Sequence, residues 1–327
     1  MAKKLFTIFI SFIAAGVLLF IGFKFFVSEA QLKLLFSISV FEHVTAIAFC
    51  LVSFIISGFE LRYIYSRNSQ LKLSNYEIIS LPVSMNLWGY LIPFQGAFLY
   101  LIAYLKLKHK ISVINTTYIY IYVFLLSLSI SGLLGIIFYF NSPSVSILFL
   151  YLSILLLINP VIIFYSNKAL GKIKFSNVPF LRKIKDTIDQ TINQMSTLFQ
   201  DKHVTITMIG FNLLSTLIYV AWSYWVVVRF DLPISFFAIL IMSFLLKITL
   251  LLKFTPGNLG LIQLASGGII ALLGGNASDG FLISLFQSLT YMLIAFSLGT
   301  IFSLINMKYF SWKSMESMLL NKKSIQN

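Results

Sequence analysis

Six apolar runs dominate the chain, and each is about as long as a membrane-spanning helix. They cover residues 5–27, 37–59, 113–139, 145–167, 205–228 and 281–305. About 20 residues at 1.5 Å per residue cross the ~30 Å hydrocarbon core of a bilayer. A helix satisfies its own backbone hydrogen bonds, so it is the expected form of each run in lipid. The sequence therefore predicts an all-α, polytopic membrane protein, a single domain over residues 1–327 with about six spanning helices.

The composition excludes a water-soluble globule. Only 10% of the residues are charged, whereas soluble domains average about 25%. The net charge of +14 would suggest nucleic acid in a soluble protein, but cytoplasmic loops of membrane proteins collect Lys and Arg in the same way. We therefore expect no nucleic-acid partner. The single cysteine, Cys50, lies in an apolar run and is expected to be a packing residue.

The distribution of basic residues predicts the orientation of the chain. With the N-terminus inside, 19 of the 24 Lys and Arg residues fall on the cytoplasmic side of the apolar runs. Only Lys24, Lys33 and Arg229 fall on or near the other side, while Lys247 and Lys253 lie within an apolar region. Because Lys and Arg concentrate in cytoplasmic loops, both termini are predicted to be cytoplasmic.

The apolar region 76–107 has basic residues at both ends, so both ends are predicted to be cytoplasmic. Its two arms, 78–92 and 94–105, would measure roughly 22 and 18 Å as helices, too short to cross a bilayer. Two half-length helices that meet at Pro93 would form a re-entrant hairpin. Polar or helix-weakening residues at that depth must be buried in protein or line a wet cavity; here they are Pro82, Asn86, Gly89 and Gln95.

A second region, 234–273, begins and ends on the outer face and contains a Pro-Gly break. Pro256 and Gly257 stop a helix, and Gly260 weakens it further. This pattern favours a second re-entrant or broken hairpin. The first arm, 234–254, is long enough to span, so two full spans are the alternative.

Two such hairpins would enter from opposite faces and bring Pro93 and Pro256 toward the bilayer centre. A glycine follows each proline at short distance: Gly96 in the first hairpin, and Gly257 and Gly260 in the second. Inverted repeats of this kind place a binding site near the midplane. We therefore expect the ligand site between the two tips.

Residues 178–200 form the only sizeable polar segment between the runs. Apolar residues recur there at three- and four-residue spacing, which is typical of an amphipathic helix; they are Leu181, Ile184, Ile188, Ile192, Met195 and Phe199. Because basic residues flank this stripe, the helix is expected to lie on the cytoplasmic membrane surface.

Lys247 and Lys253 are the cations placed deepest in an apolar region. A charge there is costly unless it faces a cavity or a partner; snorkelling to an interface is the alternative, and it suits Lys253 better. The acidic residues Glu42, Glu60 and Glu77 lie near span ends. The expected partner is therefore an anionic ligand such as a lipid phosphate, which the N-terminus of a half-helix after the Pro-Gly break would also attract.

The second break also carries a motif that resembles the Pro-Gly-Gly-x-Gly-x-x-Glu signature of the lysylphosphatidylglycerol synthase transmembrane family, also called flippase-like. It reads Pro256-Gly257-Asn258-Leu259-Gly260-Leu261-Ile262-Gln263 and precedes a Gly-rich apolar arm and a last span. Residues 86–96, followed by a basic turn, resemble the first motif of that family. The resemblance implies a multi-pass membrane protein of bacteria or archaea that handles lipids. In bifunctional members of the family, the membrane part moves aminoacylated phosphatidylglycerol between leaflets.

Two departures from the family change what the resemblance implies. Gln263 stands where the family often has Glu, and Ala97 follows Gly96 where Glu is common. A cationic lysyl headgroup would favour those carboxylates, so an uncharged or anionic lipid, such as a lipid-linked sugar phosphate, is expected instead. The soluble acyltransferase-fold domain that attaches lysine is missing from residues 1–327, so we expect no synthase activity.

The pattern and the resemblance together give a set of expected substrate-binding residues. They are Asn86, Pro93, Gln95 and Gly96 in the first hairpin, and Lys247, Lys253, Thr255, Pro256, Gly257, Asn258, Gly260 and Gln263 in the second. Metal sites need clustered ligands, whereas the three histidines are far apart in the sequence. Nucleophilic triads and phosphate-binding loops are not recognisable either. We expect no catalytic residue, no metal and no cofactor.

The sequence therefore predicts a protein of a bacterial or archaeal cytoplasmic membrane that binds or translocates a phospholipid or lipid-linked phosphate at a midplane cavity. One alternative is a membrane enzyme, or an accessory subunit, in lipid-linked glycan or aminoacyl-phosphatidylglycerol synthesis. Another is a small-solute secondary transporter. The protein partners compatible with these functions are a second copy of the chain or a membrane enzyme.

The predicted orientation can be tested by thiol labelling. We expect a cysteine introduced at residue 172, in a Cys50→Ala background, to react with an impermeant reagent only from the cytoplasmic side, because residues 168–202 carry much of the basic excess. Labelling of inverted and right-side-out vesicles measures this. Reaction from the outer side alone would contradict the orientation.

Overall fold

The computed structural model describes residues 2–26, 33–35, 37–93, 95–141, 147–171, 179–252 and 255–309. These residues contain no β-strand, which confirms the all-α prediction. Their α-helices are, in chain order, α1 (Ala2–Phe26), α2 (Val40–Ser69), α3 (Asn75–Leu91), α4 (Gly96–His109), α5 (Val113–Asn141), α6 (Ile147–Gly171), α7 (Pro179–Gln200), α8 (Lys202–Arg229), α9 (Phe236–Leu245), α10 (Leu261–Leu272), α11 (Ala277–Ile294) and α12 (Thr300–Asn306). A π-helical turn, Ala295–Gly299, joins α11 to α12.

Among the described residues, four helices are long and apolar enough to cross a membrane, which indicates a membrane protein. They are Val40–Ser69, Val113–Phe140, Lys202–Arg229 and the continuous stretch Ala277–Tyr309, and they correspond to four of the six predicted spans. The other two predicted spans fall on α1 and α6. Their described apolar stretches, Ile10–Phe25 and Leu150–Val161, are shorter, so spanning by these two helices stays a prediction.

The predicted break near Pro93 is present between α3 and α4. The two helices have 17 and 14 residues, which corresponds to about 26 and 21 Å. They pack as an antiparallel pair: Glu77 at the start of α3 contacts Lys108 at the end of α4, and Trp88 stacks on Tyr100 near the break with ring centroids 5.9 Å apart. The two-armed interpretation is confirmed, whereas its depth in a membrane stays a prediction.

The second predicted hairpin is also broken, but the α-helix ends earlier than Pro256. Helix α9 ends at Leu245 and continues as a 3-10 segment, Leu246–Leu252. In that segment the Thr249 hydroxyl donates to the Leu246 carbonyl at 2.6 Å, a local bond that competes with the α-helical ladder. After the break, a 3-10 turn at Pro256–Asn258 leads into α10, which packs against α9.

Two large buried apolar clusters, and a small one of Leu87, Tyr90 and Ala295, pack the described helices together. One lies where α2, α3, α4, α5, α7 and α8 meet and includes Tyr65, Tyr104 and Tyr122. The other lies mainly between α2, α8, α9 and α11 and includes Trp222 and Phe286. Both broken hairpins contribute to this packing, so their tips are placed by helices that surround them.

Helix α7 confirms that the polar segment near 178–200 is helical, but part of its apolar stripe faces protein. Ile192 and Met195 are buried, and α7 packs against α5, α6 and α8. Phe199 meets the ring of Tyr122 with centroids 4.6 Å apart. Ile188, by contrast, is exposed. Protein packing therefore accounts for the C-terminal part of the stripe, and the expected contact with a membrane surface stays a prediction.

The base of the first hairpin is closed by Glu77, whose side chain is 2% exposed. Its Oε2 accepts the backbone N–H of Ser74 at 2.8 Å, which caps α3. Its Oε1 lies 3.0 Å from both the Tyr104 hydroxyl and the Lys108 ammonium, and 2.5 Å from Nε2 of His109. Burial alone would raise the pKa of Glu77, but the hydrogen bonds from Ser74, His109 and Lys108 outweigh burial and lower the pKa to about 2.

We expect Glu77→Gln to destabilise the protein by about 2 kcal/mol or more, because it removes the charge of a buried, hydrogen-bonded pair. Glu42→Gln is the matched control, since Glu42 pairs with Arg229 at a more exposed position and such pairs contribute little. Thermal unfolding in detergent measures both.

The pH dependence of the Glu77 effect has a definite sign. A carboxyl group with a lowered pKa stabilises the folded state above its ordinary pKa, and this stability is lost as the pH falls toward the folded value. We therefore expect the difference between wild type and Glu77→Gln to shrink as the pH falls from about 4 toward about 2. A difference that is unchanged over that interval would contradict this role for the charge.

Candidate functional site

The tip of the first hairpin is a tight turn built around Gln95 and Gly96. Gln95 has a left-handed backbone, with φ 77°, and immediately precedes α4. Its side-chain Oε1 accepts the hydroxyl of Tyr120 on α5 at 3.1 Å. A Cβ on Gly96 would lie 2.2 Å from the carbonyl oxygen of Trp88. The chain can therefore reverse here only with glycine at position 96, while Gln95 fixes the turn to α5.

The tip of the second hairpin packs directly on the first. Gly257 and Asn258 are both left-handed, with φ 57°. A Cβ on Gly257 would lie 2.0 Å from Cε1 of Tyr90 on α3, and Tyr90 is itself buried. The Nδ2 of Asn258 donates to the carbonyl of Thr249 at 3.2 Å, which closes the turn. The sequence-based expectation that the two tips meet is therefore consistent with this geometry.

A cavity of about 210 Å³ lies between the two tips, and we call it the tip cavity. Both hairpins contribute to its wall, which also includes several of the expected site residues. The wall consists of Met85, Asn86, Gly89, Tyr90, Ile92, Gln95, Gly96, Ala97, Thr255, Gly257, Asn258 and Ile262.

Three polar atoms in the wall of the tip cavity are buried without a hydrogen-bond partner among the described residues. They are Oδ1 of Asn86, Oγ1 of Thr255 and Oδ1 of Asn258. Leaving such a group unpaired costs about 1–3 kcal/mol, so each is a position at which a ligand atom or a water molecule would be stabilised. All three groups are neutral, which distinguishes this cavity from a phosphate site built on cations.

Two larger cavities adjoin the tip cavity. The first, of about 540 Å³, is mostly apolar, and we call it the apolar cavity; it is lined by Leu19, Phe23, Leu35, Ile38, His43, Ile47, Leu259, Leu285, Phe286, Ser288, Leu289, Thr290, Met292 and Leu293. The second, of about 310 Å³, we call the Glu60 cavity; it is lined by Phe54, Ser57, Glu60, Leu61, Ile64, Tyr65, Pro82, Met85, Asn86, Ala97, Leu101, Ile119, Tyr120 and Val123.

The two larger cavities touch α2 at different levels. The apolar cavity touches α2 as far as Ile47, and the Glu60 cavity touches it mainly from Ser57 onward, about 15 Å further along the helix axis. The wall of the tip cavity is close to both: Asn86 lines the tip cavity and the Glu60 cavity, while Asn258 lines the tip cavity and its chain neighbour Leu259 lines the apolar cavity.

Gln263 and Gly260 have a structural role instead of facing the tip cavity. The Oε1 of Gln263 accepts the backbone N–H of Gly260 at 2.7 Å, and its Nε2 donates to the hydroxyl of Ser288 at 2.8 Å. Gln263 therefore caps α10 and joins it to α11, and a neutral amide is suited to this because it donates and accepts at once. Pro93 and Pro256 are both buried at the turns.

Lys247 is not among the residues that line the tip cavity, and the expected convergence of two lysines and a helix N-terminus stays a prediction. Its Nζ donates to Oδ1 of Asn212 on α8 at 2.6 Å and lies 5.7 Å from the ring centroid of Phe244. It also interacts electrostatically with Glu60. Lys253 lies outside the described residues.

The position of Glu60 in its helix differs from the one expected from the sequence, which put it near the end of a span. The sequence analysis ends the apolar run at residue 59, whereas α2 continues to Ser69 and is capped at Gln70. Glu60 therefore lies nine residues inside the helix and not at its end. The one sequence signal available was that Glu60 interrupts an otherwise apolar helical stretch.

No protein-family model, curated protein or solved structure matches this chain.

The contact between the tips can be tested by substituting Gly257. We expect Gly257→Ala to destabilise the protein by about 1–3 kcal/mol more than Gly274→Ala, because only the first Cβ would overlap Tyr90. Both glycines have positive φ, at 57° and 83°, so the two variants share a similar backbone penalty. Nothing lies within 4 Å of a Cβ on Gly274. Equal thermal stabilities in detergent would contradict close packing of the tips.

Proposed function

We propose that the chain is a lipid-handling membrane protein that binds the headgroup of a phospholipid or lipid-linked phosphate in the tip cavity and translocates it. The observation that carries the proposal is the small polar tip cavity, which shares Asn86 with the Glu60 cavity and meets the apolar cavity at the adjacent residues Asn258 and Leu259. An arrangement of this kind suits a molecule that must pass between the two halves of a bilayer.

The shapes and linings of the cavities favour a lipid over a small polar solute. A phospholipid joins a compact polar headgroup to long apolar chains. The tip cavity offers unpaired polar atoms, and the apolar cavity, more than twice as large, begins at Leu259, the residue after Asn258. A headgroup in the first and an acyl chain in the second would be joined over a short distance.

The neutral groups of the tip cavity favour hydroxyl-bearing headgroups. The amide oxygens of Asn86 and Asn258 need donors, and the Thr255 hydroxyl can donate or accept. Glycerol and sugar hydroxyls supply both. This agrees with the expectation, from Ala97 and Gln263, that the lipid does not carry a lysyl headgroup.

The membrane arrangement in this proposal is the one that the sequence predicts. Both hairpins are re-entrant and enter from opposite faces, both termini are cytoplasmic, and the membrane is the cytoplasmic membrane of a bacterium or archaeon. The resemblance to the lysylphosphatidylglycerol synthase transmembrane family supports the lipid assignment, and the antiparallel pairing of α3 with α4 supports the first hairpin.

Reconstitution into vesicles tests the proposal. We expect purified protein to translocate phosphatidylglycerol labelled with a fluorophore on one acyl chain, so that an impermeant reductant added outside quenches more than the outer half of the label. Unlabelled polyprenyl phosphate, added as a competitor, should slow quenching if a lipid-linked phosphate is the better substrate.

We expect Asn86→Ala to slow translocation about five- to tenfold, the effect of losing one hydrogen bond. Asn193→Ala, at an exposed position on α7, is the matched control and should behave as wild type. Quenching that stops at the outer half, with no competition by polyprenyl phosphate for binding, would refute lipid handling. Equal rates for both variants would move the headgroup away from the tip cavity.

A further inference from the structure

Glu60 belongs to α2, a helix that is long and apolar enough to span a membrane. Its side chain lines the Glu60 cavity together with Tyr120 of α5 and Asn86 of α3. An ionised carboxylate in such a segment is costly unless a partner or a bound proton neutralises it. Glu60 therefore requires an opposite charge nearby or a bound proton.

Among the described residues, Lys247 is a cation that interacts electrostatically with Glu60. Its ammonium is held by Asn212, and among the described residues its hydrogen bond goes to this amide and not to the carboxylate. The other two glutamates of the chain's described helices differ, since Glu42 and Glu77 form direct ion pairs with Arg229 and Lys108. Glu60 and Lys247 thus offset each other's charge at a distance, while the carboxylate faces the cavity.

We propose that Glu60 is a proton-binding site, and that it takes up a proton when an anionic group enters the Glu60 cavity. While Glu60 is ionised, its charge and that of Lys247 sum to zero, so the cavity has no net attraction for an anion. Protonation of Glu60 leaves the positive charge of Lys247 uncompensated. Proton and anion then bind together, and linkage requires that each strengthens the other.

Other titratable or charged groups lie on α2 itself or on the helices packed against it. Tyr63 and Arg62 on α2 are engaged with His203 on α8 and Asn75 on α3, and Glu77 of α3 is engaged at the base of the first hairpin. Further groups are Tyr65 on α2, Tyr120 on α5 and Tyr291 on α11. Arg62 is the cation of this set, and its guanidinium donates to Oδ1 of Asn75. The identification of the anion as a lipid phosphate rests on the proposed function. The assignment of Glu60 as a proton-binding site does not.

A hydrophobic carbodiimide tests the proton site directly, because it modifies only protonated carboxyl groups to a stable acylurea. We expect mass spectrometry of the purified protein to find Glu60 labelled, with labelling that falls as the pH rises from 5 to 9. Lys247→Met should move the pH of half-labelling upward by about one unit or more, since it removes a stabilising cation. Glu42, in its ion pair, serves as the internal control, and Glu60→Gln should abolish labelling of that peptide.

Lipid provides the second arm of the experiment. In mixed micelles, phosphatidylglycerol should raise the pH of half-labelling of Glu60 relative to phosphatidylcholine, and Lys247→Met should suppress this difference. Absence of Glu60 labelling at every pH, or an unchanged pH profile in Lys247→Met, would overturn the proton site. A response to Lys247→Met without a response to phosphatidylglycerol would overturn the coupling to an anion. Failure of translocation with intact labelling would count against the proposed function alone.

Discussion

The two helix breaks impose the constraint on which the rest of the structure depends. A break frees backbone N–H and C=O groups, and hydrocarbon offers nothing to bond them. At the first break the backbone meets this requirement, since the N–H of Gly96 donates to the carbonyl of Ile92, and at the second break amide side chains bond the backbone. Gln95 fixes the first turn to Tyr120, Asn258 bonds the carbonyl of Thr249, and Gln263 bonds the N–H of Gly260. A neutral amide serves here because it carries both a donor and an acceptor without the cost of a charge.

Charge is distributed by a related rule. Near the ends of helices, Glu42 and Glu77 make direct ion pairs that join α2 to α8 and α3 to α4. Further inside α2, Glu60 and Lys247 interact without direct contact, and Asn212 stands beside the lysine. Direct pairs hold helices in register, whereas a separated pair leaves each charge able to respond to a change in its surroundings. A glutamate therefore fixes two helices together in the direct pairs, whereas in the separated pair its charge can respond to its surroundings.

The sequence predicted those features that depend on local chemistry. The breaks near Pro93 and Pro256 follow from residues that cannot continue a helix, and both are present. The partners of Lys247 could not be predicted, because Asn212 and Glu60 reach it only through the packing of α8 and α2. The apolar stripe of α7 shows a similar limit, since periodicity reveals an apolar face but does not distinguish protein from lipid as its cover. Hydropathy also ended the second span at residue 59, because it marks where polar residues begin and not where a helix ends.

Gln263 shows how a local motif can mark a position with a structural role. It follows the break at the position where a side chain can reach back to the first free N–H of a helix, and it does so. A carboxylate there would accept the same hydrogen bond but could not donate to Ser288 as the amide does. The amide therefore serves the join between α10 and α11.

The shared wall between the tip cavity and the Glu60 cavity has a consequence for motion. Three side chains, those of Met85, Asn86 and Ala97, line both spaces, so the partition is one layer of side chains thick. Rotamer changes take picoseconds to nanoseconds at exposed positions, whereas hinge motions of helices take microseconds to milliseconds. Rotation about the χ angles of Met85 and Asn86 would change such a partition without movement of the backbones of α3 and α4. The backbone of the hairpin would stay in place while these side chains separate or join the two cavities.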